Sequence, residues 1–383
     1  MSLSASSRAA RLRELAVLFL KLGTVGFGGP AAHVAMMEEE VVRRRGWMTR
    51  ERFLDLWGAT FLIPGPNSTE MAIHLGHERA GWRGLLVAGT AFILPAFLIV
   101  LAFAWGYRTW GSLPELSGVL AGVKPVVFAV VVQALFGLAR SAFKNLRLTL
   151  LGVAAFVASA VGLHELVVLL ATGVAAVALE GRFRPSRCAA AIWLPAAGAP
   201  ALLTAVAPVP FAFGTLFWTF AKIGSVLFGS GYVLLAFLRT DLVERLGWIT
   251  EAQLLDALAV GQVTPGPLFT TATFIGFLVG GWVGAVLATA GIFLPAFVFV
   301  AASGPLVPRL RASPTAGALL DGVNVASLAL MARVTGELAR TALATPLALL
   351  LTLASAALLL GTRVRSAWLL PAGALLGWLT MTP

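Results

Sequence analysis

The sequence predicts an all-α polytopic membrane protein built from two inverted-topology repeats joined by an extra linker helix. Each repeat is expected to open with two broken, re-entrant helical hairpins and to continue into about four transmembrane helices. Three observations carry this. Of the 383 residues, 59% are hydrophobic and only 12% charged, with a mean hydropathy of +0.91, whereas a soluble domain carries about a quarter charged residues. The chain repeats itself: Lys21-Leu22-Gly23-Thr24 returns as Lys222-Ile223-Gly224-Ser225, an offset of 201 residues (222 − 21). Finally, Gly and Pro interrupt apolar runs that would otherwise read as membrane helix, at Gly26 to Pro30, Phe61 to Glu70, Phe228 to Gly231 and Thr264 to Pro267. In hydrocarbon an unpaired backbone group costs several kcal/mol, so such breaks survive only where they line a protein cavity.

The repeat fixes the order of elements. The offset of 201 carries Gly46-Trp47 onto Gly247-Trp248, Asp55 onto Asp256, and Pro64-Gly65-Pro66 onto Pro265-Gly266-Pro267. A one-residue deletion then brings Gly81-Trp82 to Gly281-Trp282 and Leu94-Pro95-Ala96-Phe97 to Leu294-Pro295-Ala296-Phe297. Residues 12–181 are therefore expected to form the first repeat, 182–212 a linker with a span from Cys188 to Val206, and 213–383 the second repeat. The first repeat begins with segments 12–45 and 50–80, whose arms fall short of the roughly 20 residues of a spanning helix. Apolar stretches follow near 84–107, 117–139, 146–161 and 163–180, with counterparts near 284–303, 317–339, 344–360 and 366–380.

Charge gives the orientation. The net charge is +11, but Lys and Arg lie in short clusters between apolar runs, which fits cytoplasmic loops and leaves no basic stripe for nucleic acid. Repeat one carries its cations at Arg43 to Arg52, Arg79 to Arg83 and Arg140 to Arg147. Repeat two carries them instead at Arg309/Arg311 and Arg363/Arg365, as inverted repeats require. If the loops at 43–52 and 79–83 share a side, the broken segments are re-entrant; if every broken segment crosses, the 43–52 cluster falls outside. No small-residue cleavage site follows Met1 to Arg13, so the first arm is expected to stay, with its N-terminus cytoplasmic. Cys188 is the only cysteine, which excludes a disulfide framework and a Cys-based metal site. No cofactor is expected. His74-Leu75-Gly76-His77-Glu78 has metalloprotease letters in the wrong order, and Gly224 to Ser230 lacks the lysine of a nucleotide loop.

The runs FGGPAAHVAMMEEE (from Phe27) and FLIPGPNSTEMAIHLGHERAG (from Phe61), with Pro-Gly-Pro again at 265–267, resemble the signature of the chromate ion transporter family, in its two-domain, long-chain form. The likeness spans about Lys21 to Arg79. It implies a secondary carrier of oxyanions in the cell (inner) membrane, chromate leaving the cytoplasm on the proton-motive force. Sulfate uptake and a passive anion channel are the alternatives; an intramembrane enzyme lacks a nucleophile–base pair. Both halves lie in one chain, so a monomer or a homodimer is expected in the lipid bilayer.

The candidate substrate site follows from the breaks themselves. A broken helix presents the N-terminus of its second half, with free N–H groups and positive dipole charge, an anion site without a formal cation. Gly28, Gly29, Pro64, Gly65, Gly229, Ser230 and Gly266 shape these tips, and Asn67, Ser68, Thr69, Thr270 and Thr271 add side-chain polar groups. Glu70 fits two roles: with Asn67 it makes the spacing of a capping box, and as an acid at membrane depth it suits a proton relay. Its counterpart is Thr271, so protonation work is expected of repeat one. Lys21 and Lys222 either snorkel to the interface or frame a dianion. His33 and His74 are either hydrogen-bonded structural groups or proton carriers. Lys124, with Asn324 as its counterpart, is either on the substrate path or near enough to a helix end to escape.

Overall fold

The computed structural model describes residues 5–27, 29–110, 114–179, 210–228, 233–303, 313–362, 364 and 366–381. Gly28, Gly229, Ser230, the basic residues Arg309, Arg311, Arg363 and Arg365, and the expected linker span lie outside them. The described residues form fourteen α-helices and no strand. In the first half, α1 (Ala5–Val25) and α2 (Gly29–Glu38, prolonged by a π-helical turn over Glu39–Arg44) make one hairpin. The second begins with α3 (Arg50–Thr60), capped by Thr49, whose hydroxyl accepts from the Arg52 N–H at 3.3 Å. It returns along the first limb of α4 (Asn67–Trp110).

Ion pairs decide how these hairpins enter the membrane. Glu14 of α1 meets Arg45 at 3.2 Å and Arg79 at 2.9 Å. Arg50 meets Glu38 at 3.1 Å, and Arg52 at the start of α3 pairs with Glu78 at the end of the first limb of α4. Side chains of this length reach only one face, so both broken segments enter and leave on a single side. They are re-entrant, and the crossing alternative, which would part Arg52 from Glu78, does not hold.

Helix α4 is itself folded in two. Ala80 and Gly81 leave helical geometry, with φ 65° at Gly81, and beyond them the chain runs back antiparallel. A side chain at Gly84 would strike the Gly76 carbonyl, and Gly89 faces the Ile73 side chain, although residues 73 and 89 would stand about 24 Å apart on a straight helix. The second half repeats the pattern with α8 (Phe213–Val226), α9 (Leu234–Leu238 and a π-helical turn over Arg239–Arg245), α10 (Glu251–Val263) and α11 (Thr271–Ser303). There Gly281 makes the turn at φ 62° and the hydroxyls of Thr273 and Thr289 bond at 2.7 Å across the fold.

The second half is upside down. Near the far end of α4, Arg108 lies over the Phe277 ring at 5.9 Å and beside Gly281, the mouth of the second half. From Gly81, the mouth of the first half, to Arg108 the helix runs 27 residues (108 − 81), about 40 Å and more than the roughly 30 Å of hydrocarbon. The two mouths therefore open on opposite faces.

Beyond the hairpins the halves interlace. Helix α5 (Pro114–Ala142) packs against α13 (Pro346–Gly361) and α14 (Ser366–Met381), both of the second half. Reciprocally, α12 (Pro314–Ala342) packs against α6 (Leu146–Ala160) and α7 (Glu165–Leu179) of the first. Glycines allow the close approach: Gly122 lies against Gly373 and Gly377, and Gly322 against Thr172 and Gly173. The largest apolar core accordingly draws on both halves, from Ile93 and Val127 to Ile292 and Met331. Among the described residues four helices, α4, α5, α11 and α12, are long and apolar enough to cross a membrane.

Candidate functional site

The hairpin tips meet in two pairs, each joining one half to the other. The Gly65 N–H donates to the Leu227 carbonyl at 2.8 Å, and the Gly266 N–H to the Gly26 carbonyl at 2.8 Å. Each bond maps onto the other under the 201-residue offset, the reciprocity a twofold relation demands. Gly65 and Gly266 hold φ values of 143° and 95°, which β-carbon-bearing residues rarely adopt. Gly65 packs on Ala296 of α11 and Gly266 on Ala96 of α4, again as a symmetric pair. Pro64 and Pro66 flank the first of these turns, and Gly29 opens α2 at φ 79°.

Within this symmetric frame the polar groups are arranged asymmetrically. The helical ladder of α4 begins with the N–H groups of Thr69 and Glu70 on the Pro66 carbonyl, at 2.7 and 3.0 Å. The N–H groups of Asn67 and Ser68 therefore point beyond the helix end. All four residues are buried, Thr69 and Glu70 completely. Among the described residues, the Thr69 hydroxyl, both Glu70 carboxyl oxygens and His74 Nε2 have no hydrogen-bond partner. The Glu70 carboxyl rests against the Gly65 α-carbon, where a side chain at 65 would stand. It does not bond back to the helix end, so the capping box read from Asn67 and Glu70 is not made; that motif occurs at Thr250 and Gln253 instead. In the second half the same positions are quenched: Thr270 donates to the Pro267 carbonyl and Thr271 to the Leu268 carbonyl, each at 2.8 Å.

His33 stands behind the tips. Its Nε2 lies 2.9 Å from the Gly26 carbonyl, which also receives Gly266, and its ring meets Phe92 edge-on at 5.5 Å. Lys21 and Lys222 lie elsewhere, in the arms. Lys21 pairs with Glu40 at 2.9 Å and Lys222 with Asp241 at 2.5 Å, and Glu40 and Asp241 are themselves repeat mates at the start of the two π-helical turns. Each lysine thus braces the two limbs of its hairpin. The matching acids were legible, because Glu40 and Asp241 share the offset that links the lysines. The sequence set Lys124 apart and matched Asp256 to Asp55 without joining the two: Asp256, buried in α10, pairs with Lys124 at 3.0 Å and accepts from the Tyr107 hydroxyl at 3.0 Å.

Comparison with known proteins matches residues 13–177 and again 214–378 to the chromate transporter family model. The chain belongs to the chromate transporter family. A chromate transport protein of Cupriavidus metallidurans is 33% identical over 97% of this chain and 94% of its own length. One of Pseudomonas aeruginosa is 32% identical over 85% of this chain and 81% of its own. An uncharacterized transporter of Methanocaldococcus jannaschii is 27% identical over 83% and 82% respectively. No solved structure matches. With the family and the apolar helices together, this chromate transporter family member is an integral membrane protein.

Proposed function

We propose that the protein is a secondary carrier that exports chromate from the cytoplasm, one tetrahedral dianion at a time, driven by the proton-motive force. The names of the relatives support chromate and transport rather than catalysis. The observation that carries the mechanism is Glu70: a completely buried carboxyl without a hydrogen bond among the described residues, set at the first turn of α4 against Gly65. An unpaired buried charge is costly, and ionised Glu70 would repel a dianion at the same helix end. The anion is therefore held by the Asn67 and Ser68 N–H groups and the Thr69 hydroxyl while Glu70 carries a proton. His74, one turn further along α4, and His33 are the next groups of that relay. Of the remaining tip residues, Gly29, Pro64, Gly266, Thr270 and Thr271 shape the walls, the sequence assigns Gly28, Gly229 and Ser230 to the same site, and Lys21 and Lys222 hold the hairpins that carry them.

The arginine-bearing mouth and the N-terminus face the cytoplasm of the inner membrane, by the excess of cations at Arg43 to Arg52 and Arg79 to Arg83. Residues 12–181 and 213–383 act as the two halves of one pathway, so a single chain suffices for transport within a monomer or a homodimer. The test is flux of labelled chromate and sulfate into proteoliposomes with and without a pH gradient. Wild-type protein should move chromate in response to the gradient, whereas Glu70→Gln, similar in shape but unable to titrate, should bind the anion and lose that response. A Gln variant with wild-type gradient dependence removes Glu70 from proton coupling. Sulfate moved in preference, or movement indifferent to the gradient, points to the sulfate carrier or the passive channel.

A further inference from the structure

The buried group Tyr107–Asp256–Lys124 plays no part in the hairpin tips. Lys124 lies in α5, six residues (124 − 118) into the apolar span Gly118–Arg140, about 9 Å from its start. Asp256 lies at a similar depth in α10, eight residues (264 − 256) before Thr264 at the second-half tip, about 12 Å along the helix. Tyr107 belongs to α4, close to Arg108 and hence to the mouth opposite the arginines. The group thus stands between the tips and that mouth, on three different helices.

Three features set this pair apart from a packing device. Exchanging a buried ion pair for uncharged residues is often neutral or stabilising, so its presence is weak evidence of a stabilising role, and ionisable residues at membrane depth mark substrate paths. The pair bridges the halves and has no symmetry-related copy, since Asn324 stands for Lys124 and Val307 for Tyr107, while Asp55, the mate of Asp256, is exposed. The pair is also lopsided. The Asp256 side chain is 4% exposed and held by Tyr107, whereas the Lys124 side chain is 25% exposed and has Asp256 as its partner among the described residues. An ammonium has three donors, so a carboxylate held from behind leaves Lys124 able to accept a second anion.

We propose that Lys124 is a waiting site for the transported dianion between the hairpin tips and the mouth opposite the arginines, with Asp256 as the built-in anion that keeps the lysine in place when the path is empty. The inference rests on the carrier reading above. A tetrahedral dianion brings twice the charge of the carboxylate and displaces part of its claim on the ammonium; Asp256, fixed by the Tyr107 hydroxyl, takes the lysine back as the anion leaves. The carboxylate prevents the anion from lodging there.

The experiment uses the full chain in proteoliposomes, with chromate and sulfate flux read alongside size-exclusion behaviour. Wild-type flux comes first, since its absence overturns the carrier reading itself and not the lysine's role within it. In Lys124→Asp/Asp256→Lys the ion pair survives with the cation moved to α10, and flux should fall by about tenfold or more in protein that remains monodisperse. Lys124→Asn/Asp256→Asn removes both charges and should fall equally. Asp256→Asn alone, with its lysine unopposed, should lower the KM for the anion and slow turnover. Wild-type flux in the swapped or the double-amide protein makes the pair a structural tie and overturns the waiting site. Should the swapped protein not fold, the double-amide protein decides.

Discussion

At the scale of single residues, function is concentrated where the backbone has no room for a side chain. Gly65 takes φ 143° and its missing β-carbon leaves the space occupied by the Glu70 carboxyl. Gly65→Val is therefore expected to abolish transport while the protein still inserts, since a β-branched residue disfavours that backbone and displaces the acid. The check is flux per mole of membrane-inserted protein; full flux at normal abundance overturns the tip as anion site. Gly29, at φ 79° with open space around it, bears only the backbone strain, and Gly29→Ala should leave measurable flux. These glycines were plain in the sequence, because Gly beside Pro inside an apolar run marks the place where a membrane helix breaks. Which polar neighbours were free was not legible. Thr69 and Thr270 are the same residue at the same repeat position, and only the local turn, which turns Thr270 back onto Pro267, separates a hydroxyl without a partner among the described residues from a quenched one.

At the scale of elements, α4 and α11 each combine a half-membrane limb with a spanning limb through a single glycine turn. Gly76 and Gly84 touch backbone to backbone across the first of these turns, as Gly276 and Gly284 do across the second. The small-residue spacing at 276, 280 and 284 reads as close helix packing, and Gly276 and Gly284 do pack, but within one folded helix, whereas Gly280 faces the Phe211 and Phe213 rings. Gly84→Ala should destabilise by about 1–3 kcal/mol through overpacking. Gly137→Ala on α5, where a β-carbon meets nothing within 4 Å, should instead stabilise by about 0.5–1 kcal/mol. Thermal melts of the detergent-solubilised protein check the opposite signs; a melt raised by Gly84→Ala means that the limbs of α4 are not in contact. The first of these turns was legible, since the charged run from Glu78 to Arg83 parts the segment 50–80 from the apolar stretch near 84–107; its counterpart at Gly280-Gly281 carries no cation and was placed through the repeat.

At the scale of the whole molecule, duplication and inversion explain why the site is single although the frame is double. The halves share backbone geometry down to φ 58° and 63° at Gly46 and Gly247, and the pair Glu38–Arg50 returns with its charges exchanged as Arg239–Glu251. Inversion was legible because cations changed loops between repeats while the apolar pattern did not. The interlacing was not: nothing in the amphipathic pattern of α5 and α12 states that each packs on the last two helices of the other half, because lipid and protein neighbours demand the same apolar surface. The exchange of charge at positions 38/239 and 50/251 fits mouths that face compartments with different charge rules. Single cysteines in a Cys188→Ser background test this directly, at the exposed positions Arg43 and Arg83 of one mouth and Arg245 and Trp282 of the other. A membrane-impermeant maleimide added to intact cells should modify the cysteines at 245 and 282, and should reach those at 43 and 83 only once the membrane is opened. The reverse pattern would turn the molecule over in the membrane and leave the fold intact. Modification of 43 and 245 from the same side is incompatible with two mouths separated by the 27 residues from Gly81 to Arg108, and would overturn the inversion itself.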